Sequence, residues 1–293
     1  MRLAATIASA LLTLAACSAP QQDDAIVATA KSTVESPAIS TGFVTPDREQ
    51  PPEVAPPPGE PAPPAAPAEE VEAPSGNHVA LKYLIGDIDP AKDPMFAKIP
   101  EKYLGGSRVW GHKDAVDAFV RMAEDAASNG YVLKAVSAFR SFSDQKEIWE
   151  NKWNGKTAVG GKKLNVSTPD PKARALKILE FSSMPATSRH HWGTDFDINN
   201  LNNSYFNTRD GKRIYAWLTS HAPQYGFCQV YSAKGADGRP TGYEEEKWHW
   251  SYMPVASWYL KQYPIDVGYE RIAGFDGALD GAAHPAQIVG QLL

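Results

Sequence analysis

Between Ser18 and about Asn77 the chain changes character, and that change decides where a fold can form. The stretch PPEVAPPPGEPAPPAAPAEEVEAPSG is proline, alanine and glutamate with almost no large apolar side chain. Such a segment cannot bury enough surface to offset the entropy of ordering it. Folding therefore falls to the residues from about 78 onward, and all eight tryptophans of the 293-residue chain lie there, from Trp110 to Trp258. That is one domain's worth of chain, with ample material for a core. The net charge of −5, an isoelectric point near 5.8 and the lack of a basic stripe argue against a nucleic-acid partner.

The N-terminus runs from Arg2 through an apolar stretch too short to span a bilayer and ends in small residues before Cys17, the pattern of a secretory signal peptide. Leu14-Ala15-Ala16-Cys17 also resembles the bacterial lipobox. The resemblance implies a signal segment 1–17 whose Cys17 is lipidated, against the plainer reading of a signal peptide with an incidental cysteine. Ser18 lacks the aspartate associated with inner-membrane retention, which points to a lipid-anchored envelope protein on the outer membrane, facing the periplasm. Residues 18–77 then read as a disordered tether, reaching about 45 Å as a coil and about 190 Å if polyproline-like. With Cys17 spent on lipid, Cys228 in QYGFCQVY is expected to be a buried, inert thiol.

Within the folding part, HKDAVDAFVRMAEDAASNG sets Val116, Phe119, Val120 and Ala123 at helical spacing and closes on Asn129-Gly130. YVLKAVSAF alternates like a strand, and a second helix is expected from Ser143. Residues 155–172 read as a loop, RIYAWLTSHAPQYGF as a helix entering a strand, EEEKWHWSYM as a strand, and PVASWYLKQY as a closing helix with Pro254 in its first turn. Helices and strands in mixed order imply an α+β domain over 78–263, followed by a weakly patterned extension, 264–293.

The run SRHHWGTDFDIN, residues 188–199, carries the densest chemistry. Zinc takes three His, Asp or Glu ligands, leaves one position open for water, and works with a nearby carboxylate. His190 and Asp197 flank Gly193, and His249 returns inside EEEKWHWSY. If 194–198 is a strand, Asp195 and Asp197 share a face and Phe196 points away; His249 likewise faces opposite to Trp248 and Trp250. Glu246, three residues before His249, can stand beside a metal without ligating it. By this pattern alone the assignment is only moderately specific.

Four segments, in order, resemble the zinc D-Ala-D-Ala carboxypeptidases, the VanY-like branch of a family that includes VanX-type dipeptidases. S-R-H-H-W-G-T-D-F-D matches S-x-H-x-x-G-x-x-x-D, and E-K-W-H matches E-x-W-H. SAFRSFSDQ is similar to S-x-Y-R-S-x-x-x-Q, with Phe139 in place of tyrosine, and AWLTSHAPQYGF to W-L-x-x-x-A-x-x-Y-G-F. The resemblance implies a small antiparallel sheet flanked by helices, as in hedgehog and D,D-peptidase domains, and one Zn²⁺ per chain. It makes His190, Asp197 and His249 the ligands, Glu246 the catalytic base and Arg140 the group near the scissile carbonyl. Ser188 and Gln145 would bind peptide polar groups or the terminal carboxylate. Many relatives carry a small apolar residue where this chain has Asp195, which becomes either a support for a ligand or a change in pocket charge.

The implied activity is removal of the terminal D-alanine from peptidoglycan stem peptides. Within the same chemistry stand an L,D-carboxypeptidase and a D,D-endopeptidase; outside it stands a wall-binding module without turnover. His112, His221 and His284 read as ordinary surface or core histidines, and His191 as a pocket-lining or supporting neighbour of His190, not a ligand. Trp192, Trp248 and Trp250 read as core and pocket wall.

Overall fold

The apolar stripe between His112 and Gly130 is a helix in the structure, a computed structural model that describes residues 78–235 and 242–278. The expected signal segment with Cys17, the tether 18–77 and the end of the chain with His284 lie outside the described residues. In chain order the elements are α1 (Leu81–Ile85), β1 (Phe96–Lys98), β2 (Trp110–His112), α2 (Lys113–Ser128), β3 (Ala135–Ser137), α3 (Phe142–Trp153), α4 (Leu164–Ser167), α5 (Pro171–Leu179), β4 (Asp195–Ile198), α6 (Arg209–His221), β5 (Phe227–Gln229), β6 (His249–Tyr252) and α7 (Met253–Asp266). This is an α+β domain. Among the described residues no helix is long and apolar enough to cross a membrane.

Helix α2 starts where His112 Nδ1 accepts the Asp114 N–H at 3.4 Å and buries Val116, Phe119, Met122, Ala123 and Ala126, three or four apart. That stripe packs on one face of a four-stranded antiparallel sheet of order β3-β4-β6-β5. Phe196 and Trp250 are cross-strand partners and point into the same core, where the Phe119 ring stacks 5.0 Å from that of Phe196. The other face of β4 and β6 carries Asp195, Asp197, His249 and Ser251. A separate antiparallel pair, β1 with β2, closes over the start of α2.

Several expectations shift. Helix α3 begins at Phe142, one residue before Ser143, because Ser141 and Asp144 close a reciprocal capping box. The loop read over 155–172 contains α4, and α5 begins at Pro171, where Asp170 accepts the Ala173 N–H. Strand β6 is four residues long and begins at His249, since the His249 N–H donates to Glu246 O at 3.2 Å and keeps residues 246–248 in a turn ahead of it. Cys228 sits half-buried on the edge strand β5, where a fully buried thiol was expected. The domain also runs past 263. Ile272 and Phe275 bury in a second core against Trp149 and Trp153, and Trp149 Nε1 donates to Asp276 O at 2.7 Å.

Gly193 joins the 3-10 turn Arg189–Trp192 to β4 with φ of 69°. Its carbonyl accepts the His112 N–H at 2.8 Å, and a Cβ at this position would stand 2.6 Å from both His112 N and Phe96 Cε1. Left-handed backbone and backbone contact thus both demand glycine. Gly193→Ala is expected to cost about 2 kcal/mol or more, read as a fall in the thermal or urea midpoint. An unchanged midpoint would show that β2 yields freely at this contact.

Candidate active site

Antiparallel pairing sets Asp197 of β4 opposite His249 of β6, and the two-residue period turns both away from the core. His190 arrives from the 3-10 turn, held where the Arg140 N–H donates to His190 O at 3.0 Å. His190, Asp197 and His249 are all buried, and one ligand atom from each lies within 4.8 Å of the others. His190 Nε2 is 3.4 Å from Asp197 Oδ2, and His249 Nδ1 is 3.2 Å from Asp197 Oδ1. Ligand bonds of about 2.0–2.1 Å in tetrahedral array put donor atoms about 3.3 Å apart. The buried Asp197 Oδ1 has no aligned hydrogen-bond donor, so the triad fits a cation.

Each histidine is oriented from behind. His190 Nδ1–H donates to Ala138 O at 2.8 Å, which leaves Nε2 as the ligand atom. His249 Nε2–H donates to Asp195 Oδ2 at 2.7 Å, which turns Nδ1 to the site. Asp195 also takes Arg189 Nε at 2.8 Å, Ser251 Oγ at 2.6 Å and Thr194 Oγ1 at 2.9 Å, with no exposure of its own. It therefore supports a ligand and does not line the pocket. Burial works against charge on Asp195, but Arg189 and the His249 bond outweigh it and hold the carboxyl well below the usual range. Burial likewise opposes a charged His249, yet its bonds to Asp195 and Asp197 lift it to about 10.

Glu246 lies beside the triad in the turn before β6, with Oε2 3.5 Å from His249 Nδ1. Burial pushes its carboxyl up to about 7. Arg140 reaches the site from the end of β3: its NH1 donates to Gln145 Oε1 at 2.7 Å, NH2 stands 3.9 Å from Asp197 Oδ2, and the buried Nε has no partner. A cavity of about 270 Å³ opens over these groups, lined by the three ligand residues, Glu246 and Arg140 together with Ser188, Lys152, Tyr243 and Trp248 among others.

Sequence reading placed Gln145 on substrate, but the structure places it behind Arg140. Gln145 is fully buried, and its Nε2 donates to Ser183 O at 2.6 Å. Of the tryptophans read as core and pocket wall, Trp248 lines the cavity from the turn ahead of β6, and Trp250 and Trp192 are core. His191 is turned away from the cavity: its Nδ1–H donates to Arg140 O at 2.7 Å, its Nε2 accepts the Ala186 N–H at 3.1 Å, and burial pushes it down to about 3. Arg189, Lys152 and Tyr243 escaped the sequence reading. Arg189 had a signal, since it sits inside the densest run.

Two histidines and a carboxylate placed so that they could hold a metal, with a second carboxylate beside them in one pocket, make a metallopeptidase-type centre on an α+β frame. The VanY family, D-alanyl-D-alanine carboxypeptidase, matches residues 109–255, and the chain belongs to that family. It is similar to YodJ of Bacillus subtilis (strain 168), which carries the name carboxypeptidase, at 29% identity over 184 residues, 61% of this chain and 55% of that protein. The chain spans about half the length of the curated relatives it matches. Among solved structures it is similar to the LdcB LD-carboxypeptidase, at 26% identity and a TM-score of 0.43 over 59% of this chain and 74% of the other. It is also similar to VanYB in complex with D-alanine-D-alanine, at 21% identity and a TM-score of 0.39 over 57% of this chain and 87% of the other.

Asp195→Asn is expected to weaken zinc binding about 10- to 100-fold, because it removes the charge that orients His249. Leaving Arg189 buried without its counter-charge should also cost about 3–5 kcal/mol of stability. Competition with a chromophoric chelator reads the first and urea titration the second. Wild-type zinc affinity in the folded variant would remove Asp195 from any part in holding the metal.

Proposed function

We propose that the chain is a zinc-dependent peptidase that removes the C-terminal D-alanine from peptidoglycan stem peptides. The observation that carries this reading is Glu246, a half-buried carboxylate pushed up to about 7 by desolvation, set beside the His190–Asp197–His249 triad in a chain of the VanY family. Zinc held by those three residues would supply Lewis acidity toward the scissile carbonyl and ease ionisation of water. Glu246 takes the proton of the attacking water and returns it to the leaving amine, which a group titrating close to neutrality does well in both directions. The Arg140 guanidinium, fixed by Gln145, faces the oxygen on which charge develops. Ser188, almost fully buried yet on the cavity wall, offers a hydroxyl to the peptide.

The envelope location belongs to the same proposal: a lipid on Cys17 would let the tether carry the domain toward the wall. A thioether on Cys17 and a disulfide between the chain's two cysteines exclude one another. Fatty-acid labelling that is lost in Cys17→Ser supports the anchor; a Cys17–Cys228 peptide in a non-reducing digest overturns it.

Glu246→Gln is expected to keep stoichiometric zinc and lose hydrolysis by at least a hundredfold. Loss of zinc in that variant would make Glu246 a ligand. Mass spectrometry of digests of pentapeptide, tetrapeptide and cross-linked muropeptides should show release of D-alanine from the pentapeptide, abolished by chelator. Cleavage of the tetrapeptide or the cross-link alone would reassign the enzyme as an L,D-carboxypeptidase or an endopeptidase. Zinc binding without release from any of them would leave a wall-binding module.

A further inference from the structure

One face of α3 turns toward the cavity. Gln145, Ile148 and Lys152 are spaced i, i+3 and i+7 along it, which aligns them on one side of a helix. Gln145 fixes Arg140, while Ile148 and Lys152 reach the cavity wall itself. Arg140 is already committed, to Gln145 and toward Asp197. Lys152 is not: its ammonium has no hydrogen-bond or ion-pair partner among the described residues.

With Gln145 sealed behind Arg140, the wall needs another group for a substrate's negative end. A cavity of about 270 Å³ has roughly the volume of a sphere about 8 Å across, and one extended residue spans about 3.6 Å. A residue whose amide lies beside Glu246 thus keeps its terminal carboxylate inside the cavity, within one residue's length of the groups that line it, Lys152 among them. A carboxylate meeting an unpaired ammonium in a shielded cavity gains a charge-assisted bond that an amide or a further peptide unit does not.

We infer that Lys152 binds the C-terminal carboxylate of the leaving residue and so makes this pocket select peptides with a free end. This rests on the peptidase reading above. Burial and the charge of Arg140 lower the lysine to about 8, still cationic at neutral pH. Selection for a free carboxylate beside the leaving amine disfavours a leaving residue that is amidated or continued as a further peptide unit.

The test compares a diacylated L-Lys-D-Ala-D-Ala tripeptide with its C-terminal amide, on the zinc-loaded wild type, Lys152→Met and Lys152→Arg. The wild type should prefer the free acid at least tenfold in kcat/KM. Lys152→Met should lose that preference, mainly through a raised KM for the acid, and Lys152→Arg should restore part of it. An acid-to-amide ratio unchanged in Lys152→Met overturns the inference. Failure of the wild type to cleave any of these peptides is a different result, and it refutes the D,D-carboxypeptidase reading itself.

Discussion

The site exists because β4 and β6 pair in one register. Asp197 faces His249, and Phe196 faces Trp250, in consecutive rungs of the same ladder. A slip of one residue would exchange the faces, sending the carboxylates into the core and the aromatic rings into the pocket. Fully burying a large apolar side chain stabilises by about 1.5–3 kcal/mol, and Phe196 is locked on both sides, stacked on Phe119 and edge-on to Phe227 at 5.7 Å. The apolar face therefore sets the register, and the metal ligands inherit their opposition from it.

What that register places on the polar face is costly. Asp195, Asp197, Arg189, His190 and His249 are all nearly or fully buried, and burying charges destabilises unless each is paired. Asp195 and Arg189 settle one another, with Ser251 and Thr194 completing the acceptor's bonds. Asp197 is more loosely held: His249 Nδ1 and His190 Nε2 stand 3.2 and 3.4 Å away, Arg140 stands 3.9 Å away, and Oδ1 has no aligned donor. The local excess of negative charge and of ring nitrogen lone pairs sits at the point where three elements converge.

Sequence patterning gave the elements whose apolar spacing is long enough to read, α2 above all, and left out those too short for a period, such as α1, α4 and the β1–β2 pair. The four-segment resemblance brought His190, Asp197, His249 and Glu246 together, where residue types and spacing alone were only moderately specific. Gln145 misled because a polar residue in a motif looks the same whether it touches substrate or braces the residue that does. Burial separates the two, and burial of a single polar side chain is a tertiary property. Lys152 was invisible for the converse reason: it lies seven residues from Gln145 on a helix rich in lysine and glutamate, and only the cavity distinguishes it from its solvated neighbours Lys146 and Glu150, which pair with each other at 3.8 Å.

One physical cause divides the labour in this pocket. Removing water disfavours charge of either sign. It raises Glu246 to about 7 and lowers Lys152 to about 8, while a group with close partners resists it: Asp195, against Arg189, stays well below the carboxylate range. Partnered groups thus keep fixed charges and hold the frame. Unpartnered ones stand near neutrality, where a carboxyl can accept and return a proton and an ammonium can trade its hydration for a single incoming anion. The same dry cavity that makes the buried network expensive is what makes its two uncommitted members responsive.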